Sequence, residues 1–280
     1  MFEIINKEEL NSTVIKMDVY APLIANKAKP GQFIILRVDN DGERIPLTIA
    51  DYDLVNGTIT IIFQIVGATT LLLSKLNVGD KLCDLVGPLG NPSKLDNLKR
   101  VIVIGGGVGS AIAYPIAKAL NKQGCEVTVI LGFRNKELVI LEESFKKICD
   151  ALYIMTDDGS YQEKGLVTNK LAEMLEIDTK YDEVITIGPL IMMKYVTLLT
   201  KKYHVKTTVS MNTIMIDGTG MCGGCRLRVD NKTVFACVDG PDFDGHLVDF
   251  DEAMKRAKMY NEFEQHTYDD ACNLFKKKVK

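Results

Sequence analysis

The run from Leu98 to Gly124, "LKRVIVIGGGVGSAIAYPIAKALNKQG", decides the fold. Four apolar residues, Val101–Ile104, lead into a glycine-rich turn, and an apolar-periodic stretch from about Ser110 stops at Gly124. A buried strand, a tight turn and a helix follow from that pattern. Gly105, Gly107 and Gly109 do not reproduce the G-x-G-x-x-G fingerprint, because Ser110 occupies its last position. No acid stands neatly about twenty residues further on to take a ribose hydroxyl. The residues alone therefore predict a βα unit without fixing its ligand.

The same texture continues downstream. "CEVTVILGF" reads as a strand, "ELVILEESFKKI" as mostly helix and "ALYIMT" as a strand; "VTNKLAEML" is a helix, "EVITIGP" a strand and "LIMMKYVTLLTKKY" a helix. Strands alternating with helices of this length predict a parallel sheet covered on both faces. Upstream the chain reads as antiparallel β. "STVIKMDVY" alternates, "GQFIILRVD" follows a Pro30-Gly31 turn, "GTITIIFQIVG" follows Asn56-Gly57, and "NVGDKLCDLVGPLG" adds one more strand. "TTLLLSKL" is the one clear helix there. The expected architecture is a six-stranded antiparallel barrel over residues 1–96, an α/β domain over 97–208 and a small module over 209–280, with the first boundary near Asn91 to Leu98.

The chain has 280 residues, with 34 Lys and Arg against 37 Asp and Glu, a formal charge of −3. That balance gives no basic footprint for nucleic acid, and the terminal "FKKKVK" reads as a solvated tail. No cationic leader precedes an apolar run, and no apolar stretch is long enough to span a bilayer, so a cytoplasmic protein is expected. Of the seven cysteines, Cys222, Cys225 and Cys237 fall within sixteen residues. That is the usage of a local thiolate site in a reducing compartment, not of a disulfide framework.

"DGTGMCGGCRLRVDNKTVFAC" (Asp217–Cys237) holds that cluster, with a hairpin around Asp230-Asn231 to return Cys237 to the C-x-x-C pair. Three thiolates are one short of the usual four ligands. Asp217, Asp239 and Cys272 are the candidates for the fourth. The residues alone leave an iron–sulfur site, a zinc knuckle and a dithiol redox pair open.

The segment resembles the iron–sulfur segment of dihydroorotate dehydrogenase electron-transfer subunits. It is still more similar to the small subunits of NADH-dependent reduced ferredoxin:NADP oxidoreductases, also described as sulfide dehydrogenase subunits. "DGTGMCGGCR" and "FACVDGPDFDGHLVDFDEAMKR" carry the resemblance. It implies a [2Fe-2S] cluster on Asp217, Cys222, Cys225 and Cys237, with aspartate where the dihydroorotate family has a cysteine. "RIPLTIA" is similar to the Arg-x-x-Ser/Thr flavin motif of the ferredoxin-reductase superfamily, which implies FAD pyrophosphate on Arg44 and the flavin beside Pro46, Leu47 and Thr48. "QIVGATTLLLSKL" is similar to the second flavin segment: Gly67 would permit close approach, and Thr69 and Thr70 would cap the following helix.

In that family the glycine turn at Gly105, Gly107 and Gly109 backs a nicotinamide dinucleotide. Arg134 would meet its adenosine ribose or phosphate, and Asp157 stands in a matching loop. Gly188 and Pro189, in "IGPLIMMKYV", would approach the nicotinamide, with Ile187 in place of the usual cysteine. The resemblance implies FAD, [2Fe-2S] and NAD(H), with NADP(H) as a variant. Hydride transfer at the flavin needs no catalytic side chain. The implied protein is one half of an electron-bifurcating heterodimer, whose large subunit carries [4Fe-4S] clusters and a second FAD and serves ferredoxin. Two other readings are kept: the electron-transfer subunit of a class 1B dihydroorotate dehydrogenase, and a zinc-stabilised nucleotide-binding interaction protein.

Overall fold

The computed structural model describes residues 2–278, with side chains described as far as residue 270. The side chain of Cys272 and much of "FKKKVK" thus lie outside the described residues. The N-terminal part runs β1 (Phe2–Glu9), β2 (Val14–Tyr20), α1 (Pro22–Ala25), β3 (Phe33–Arg37), β4 (Arg44–Asp53), β5 (Thr58–Gln64), α2 (Ala68–Lys75), β6 (Lys81–Leu82) and β7 (Asp84–Leu89). These strands form an antiparallel sheet of seven, in the order β6-β1-β2-β5-β4-β3-β7. Ile4, Met17, Ile34, Leu36, Ile59, Ile61 and Leu73 fill its interior with no exposed surface.

The strand count corrects the expected six. "DKLCDLVGPL" reads as one strand but serves as two. Lys81–Leu82 pairs with β1, and after Cys83 the chain turns to pair Asp84–Leu89 with β3. The two edges of the sheet are thus consecutive pieces of one run, which draws the sheet round into a near-barrel. A single straight strand cannot lie against both edges.

The second part runs β8 (Arg100–Gly106), α3 (Gly109–Lys122), β9 (Glu126–Phe133), α4 (Glu142–Lys146), β10 (Ala151–Thr156), β11 (Glu163–Lys164), α5 (Val167–Ile177), β12 (Glu183–Ile187), α6 (Leu190–Lys202) and β13 (Thr207–Ser210). There follow the hairpin β14 (Arg226–Val229) and β15 (Lys232–Phe235), α7 (Ala236–Asp239), β16 (Asp242–Asp244), α8 (Phe250–Ala257) and α9 (Asn261–Lys278). The second sheet has the order β11-β10-β9-β8-β12-β13-β16, parallel throughout except at the antiparallel edge strand β16. Val101 and Val103 enter the core beneath α3 with Ile116 and Leu120, while Ile102 and Ile104 enter the opposite core with Leu171 and Val196. Burial on both faces is why Val101–Ile104 is uniformly apolar.

"ELVILEESFKKI" departs from the expected helix: it begins within a 3-10 turn, Lys136–Leu138, and holds the five-residue α4. The β-branched pair Val139-Ile140 and a left-handed Leu141, φ +59°, separate the two pieces.

The two sheets meet along α3. Val14, Ala50 and Ile62 of the first share a core with Ile116 and Ala117 of the second. Lys118 Nζ donates to Asp51 Oδ2 at 2.5 Å across the same contact.

Candidate functional site

The order of the second sheet reverses between β8 and β12, since the chain moves outward from β8 to β11 and then returns to β8's other side. Ligands of open α/β sheets bind in the crevice at such a point, outside the carboxyl ends of the strands. The glycine turn after β8 and Gly188-Pro189 after β12 both lie there. A Cβ on Gly109 would stand 2.5 Å from the Ile187 carbonyl, and one on Gly105 would stand 2.8 Å from Ser110 Cα. These two glycines let β8, α3 and β12 approach each other. Gly107 differs: its φ is +56° and a Cβ there meets nothing within 4 Å, so it faces open space.

Of the two methionines in "IGPLIMMKYV", which read as helix core, one lies at this crevice. Met192 Sδ would stand 2.5 Å from a Cβ on Gly106, and Met192 Cε 2.8 Å from one on Gly188. Met193 is wholly buried core, whereas half-buried Met192 fills the angle between the two turns. Ile187 is 1% exposed and packs in the core beneath α3. Arg134 and Asp157 are exposed at the ends of β9 and β10. Their loops are tied by Asp157 N–H to Phe133 O at 3.0 Å and Asp158 N–H to Arg134 O at 3.3 Å.

In the first sheet, residues 44–48 of β4 pair with β3, but β5 joins β4 only from Ile49 onward. Arg44, Pro46, Leu47 and Thr48 therefore have one unpaired side, a place that tolerates proline. Arg44 is exposed and its Nη2 lies 3.0 Å from Asp84 Oδ2. The preceding residue, Glu43, accepts the Thr69 hydroxyl at 3.2 Å, which fastens the start of α2 beside Arg44. Gly67 is the N-cap of α2, so Thr69 and Thr70 lie in its first turn, and only Thr70 takes the expected part in the cap, from the third helical position and not from the cap position. Thr70 Oγ1 accepts the Val66 and Gly67 N–H groups, each at 3.0 Å. A guanidinium, a hydroxyl and a helix N-terminus brought together suit a doubly charged phosphate group.

The cysteine segment packs against the barrel. A Cβ on Gly218, φ +74°, would stand 2.7 Å from Leu89 Cδ1 and 2.8 Å from Ile35 Cγ1. Cys225 and Cys237 are buried in one apolar cluster with Phe33, Ile35, Met215 and Ala236. The hairpin β14–β15 turns at Asp230 and Asn231, both at positive φ, and so delivers Cys237 to Cys225 with the sulfurs 3.2 Å apart. Burial, then the Cys225 thiol, push Cys237 up to about 12. A thiolate there needs a cation beside it.

Asp217 and Cys222 form a second pair, with Cys222 Sγ 3.4 Å from Asp217 Oδ1. The carboxylate also accepts the N–H groups of Thr219, Met221 and Cys222 at 3.1, 3.0 and 2.9 Å. Burial raises its pKa, but those N–H bonds and the Cys222 thiol outweigh it and leave it at about 2. Among the described residues, no three His, Cys, Asp or Glu gather tightly enough for one metal ion. Two pairs of donors, at the x₄ and x₂ spacing of plant-type ferredoxins, suit a two-iron centre better than a single zinc. Asp239, another candidate ligand, spends its carboxylate on the Phe235 N–H at 2.6 Å.

The decisive juxtaposition lies across β3. Phe33 and Ile35 pack with Cys225 and Cys237, and in the β3–β4 register they stand opposite Thr48 and Pro46. The cysteine site and the open-edged Arg44–Thr48 strand are thus separated by one strand.

A near-barrel joined to an open sheet with a glycine turn at its switch point, and followed by a cysteine module, defines the ferredoxin-reductase class of redox proteins. Residues 212–249 match the iron–sulfur cluster binding domain of dihydroorotate dehydrogenase B. A Clostridium beijerinckii protein described only as uncharacterized, from the adh 3' region, is 52% identical over 93% of this chain and 90% of its own. The dihydroorotate dehydrogenase B (NAD(+)) electron transfer subunit homolog of Thermotoga maritima is 45% identical over 95% of this chain and 94% of its own. A chain of the NADH-dependent reduced ferredoxin-NADP oxidoreductase, solved for insight into flavin-based electron bifurcation, superposes with a TM-score of 0.91 at 44% identity. That match covers 96% of this chain and 97% of the other. The protein belongs to this family of dihydroorotate dehydrogenase B and reduced ferredoxin–NADP oxidoreductase electron-transfer subunits.

Proposed function

We propose that the chain is the electron-transfer subunit of an electron-bifurcating NADH-dependent reduced ferredoxin:NADP oxidoreductase, passing electrons between NAD(H), FAD and a [2Fe-2S] cluster. In this reading residues 1–96 bind FAD, 97–208 bind NAD(H) and 209–280 hold the cluster. The observation that carries it is the placing of Cys225 and Cys237 against Phe33 and Ile35, one strand from Pro46 and Thr48.

When bound, FAD exchanges a hydride with nicotinamide and single electrons with the cluster, the conversion a two-electron donor and a one-electron carrier require. The protein's own part is binding, orientation and exclusion of water. Arg44, Thr69 and the start of α2 hold the pyrophosphate, with Gly67 allowing close approach and Thr70 fixing the turn into α2. Pro46, Leu47 and Thr48 present the open strand edge to the ring system. Gly105 and Gly109 set the crevice; Gly107, Gly188 and Pro189 face its occupant, and Arg134 and Asp157 reach the adenosine end. Asp217, Cys222, Cys225 and Cys237 would hold the cluster, which would carry one electron at a time.

A family of electron-transfer subunits implies a larger partner subunit. We assign to that partner a second FAD, [4Fe-4S] clusters and the contact with ferredoxin. Among the described residues no helix is long and apolar enough to cross a membrane. The dihydroorotate reading draws support from the matched domain, while Asp217, in the first ligand position, favours the ferredoxin:NADP reading. Anaerobic metal and flavin analysis with electron paramagnetic resonance, comparing wild type with Asp217→Cys, tests the assignment. The expected result is about two irons per chain, as a two-iron cluster requires, and bound FAD. The two-iron signal should also change its g values on substitution. An unchanged signal removes Asp217 from the ligand set, and zinc without flavin overturns the function.

A further inference from the structure

Between Cys222 and Cys225 the chain is Gly223-Gly224, and an arginine holds each of the two carbonyls. Arg226 Nη1 donates to Gly223 O at 3.2 Å. Arg256 Nη2, reaching in from α8, donates to Gly224 O at 3.1 Å. Gly223 has φ +68°, a conformation glycine takes without strain. In a trans peptide the C=O and N–H point opposite ways. Holding the Gly223 carbonyl outward therefore turns the N–H of the same peptide unit, that of Gly224, inward. Gly224 N–H accordingly points at Cys222 Sγ, 3.4 Å away.

Helix α8 is itself fastened to the cysteine hairpin. Asp249 N–H donates to Arg228 O at 3.0 Å, and Arg228 pairs with Glu252 at 3.4 Å. Arg256 is thus delivered by an element with its own anchors, while Arg226 comes from the hairpin. Two separate elements converge on one dipeptide.

We propose that Arg226 and Arg256 form a guanidinium clamp that positions the Cys222–Cys225 loop and sets the reduction potential of the cluster it carries. The inference rests on the [2Fe-2S] reading above. One-electron reduction adds one negative charge to the cluster and breaks no bond. Nearby fixed positive charge and an N–H directed at a ligand sulfur both favour the reduced form, since cluster potentials follow local charge, hydrogen bonds to sulfur and solvent exposure. Arg256 is half-buried and Arg226 exposed, so solvent screens Arg226 more strongly and Arg256 has the larger effect. Neither touches a reacting atom; both are positioning residues.

The test is a redox titration of the anaerobically purified full chain, followed by electron paramagnetic resonance, with iron content measured in parallel. Arg256→Gln keeps its iron and moves the midpoint to more negative potential, reducing the reduced-to-oxidised ratio at fixed potential by up to about tenfold, or ~59 mV for a one-electron couple. Arg226→Gln moves it the same way by less, and Arg256→Lys stays near wild type. An unshifted midpoint in Arg256→Gln with its cluster intact overturns the proposal. So does an Arg256→Lys shift as large as that of Arg256→Gln, which would mean packing and not charge. Should Arg256→Gln lose its iron, Arg226→Gln decides, because an exposed side chain is removed with little loss of packing. A wild-type chain without a two-iron signal would instead sink the cluster reading on which the clamp depends.

Discussion

Asp217 organises its own loop before any metal is considered. Its carboxylate gathers three backbone N–H groups and lies beside the Cys222 thiol. Replacing it by alanine removes the proposed ligand and frees those donors together, so Asp217→Ala should purify with less than half the wild-type iron, read by metal analysis. Arg44 makes a different prediction. Its ion pair with Asp84 is a surface contact worth little to stability, so Arg44→Ala should unfold at nearly the wild-type temperature. It should nevertheless bind FAD more weakly by about 2 kcal/mol, roughly thirty-fold, the cost of losing a charge-assisted bond to phosphate. Equilibrium dialysis beside a thermal melt separates the two effects. Spacing made Asp217 one of three candidate ligands, and both its choice and that of Arg44 came from the resemblance of their segments to known motifs. The partners Glu43, Asp84, Arg226 and Arg256 were not legible in the sequence, because a contact such as Arg256 to Gly224 spans a distance along the chain that no local pattern encodes.

At the scale of elements, the β8–α3 turn separates packing from access. A methyl at Gly109 collides with the Ile187 carbonyl, whereas one at Gly107 meets nothing but must tolerate φ +56°. Gly109→Ala should cost about 1–3 kcal/mol of stability, as overpacking does. Gly107→Ala should cost about 1 kcal/mol, while raising KM for NADH with kcat little changed. Denaturant melts and steady-state kinetics on the two variants read these differences.

The start of β8 gives a pH signature. Asp182 accepts the Lys99 and Arg100 N–H groups at 2.6 and 2.9 Å, and these hold its carboxyl below its ordinary value. The side-chain bond from Arg100 does the same for Asp178. The folded state therefore binds these protons more weakly than the unfolded chain. The stabilisation is complete above the ordinary aspartate range and is lost as pH falls through the depressed folded values. Asp178→Asn with Asp182→Asn should flatten the fall in urea midpoint from about pH 5 down to about pH 2. A wild-type slope in the double variant would contradict this. The βα alternation of this region was legible because both faces of β8 are buried. The break at Val139–Leu141 was not, because "ELVILEESFKKI" carries enough helix formers to mask it. The division at Cys83 was hidden too, since it answers to closure of the sheet and not to local preference.

For the whole molecule, the order of modules was readable, but how they touch was not. The sequence places "RIPLTIA" and "CGGCR" far apart along the chain. The fold sets them on either side of β3 through Phe33 and Ile35, and α3 joins the switch-point crevice to the barrel through Lys118 and Asp51. Strand β16 carries the chain from the cysteine module back to the edge of the parallel sheet, so the three parts are held as one body. The measurement that tests this arrangement most directly is an anaerobic titration with NADH, following flavin absorbance and the two-iron paramagnetic signal in the same samples. The account predicts that NADH bleaches the flavin and that the cluster signal of the reduced form grows with it. A flavin that bleaches beside a two-iron centre that stays oxidised, even with a mediator-accessible potential above that of NADH, would contradict a route across β3.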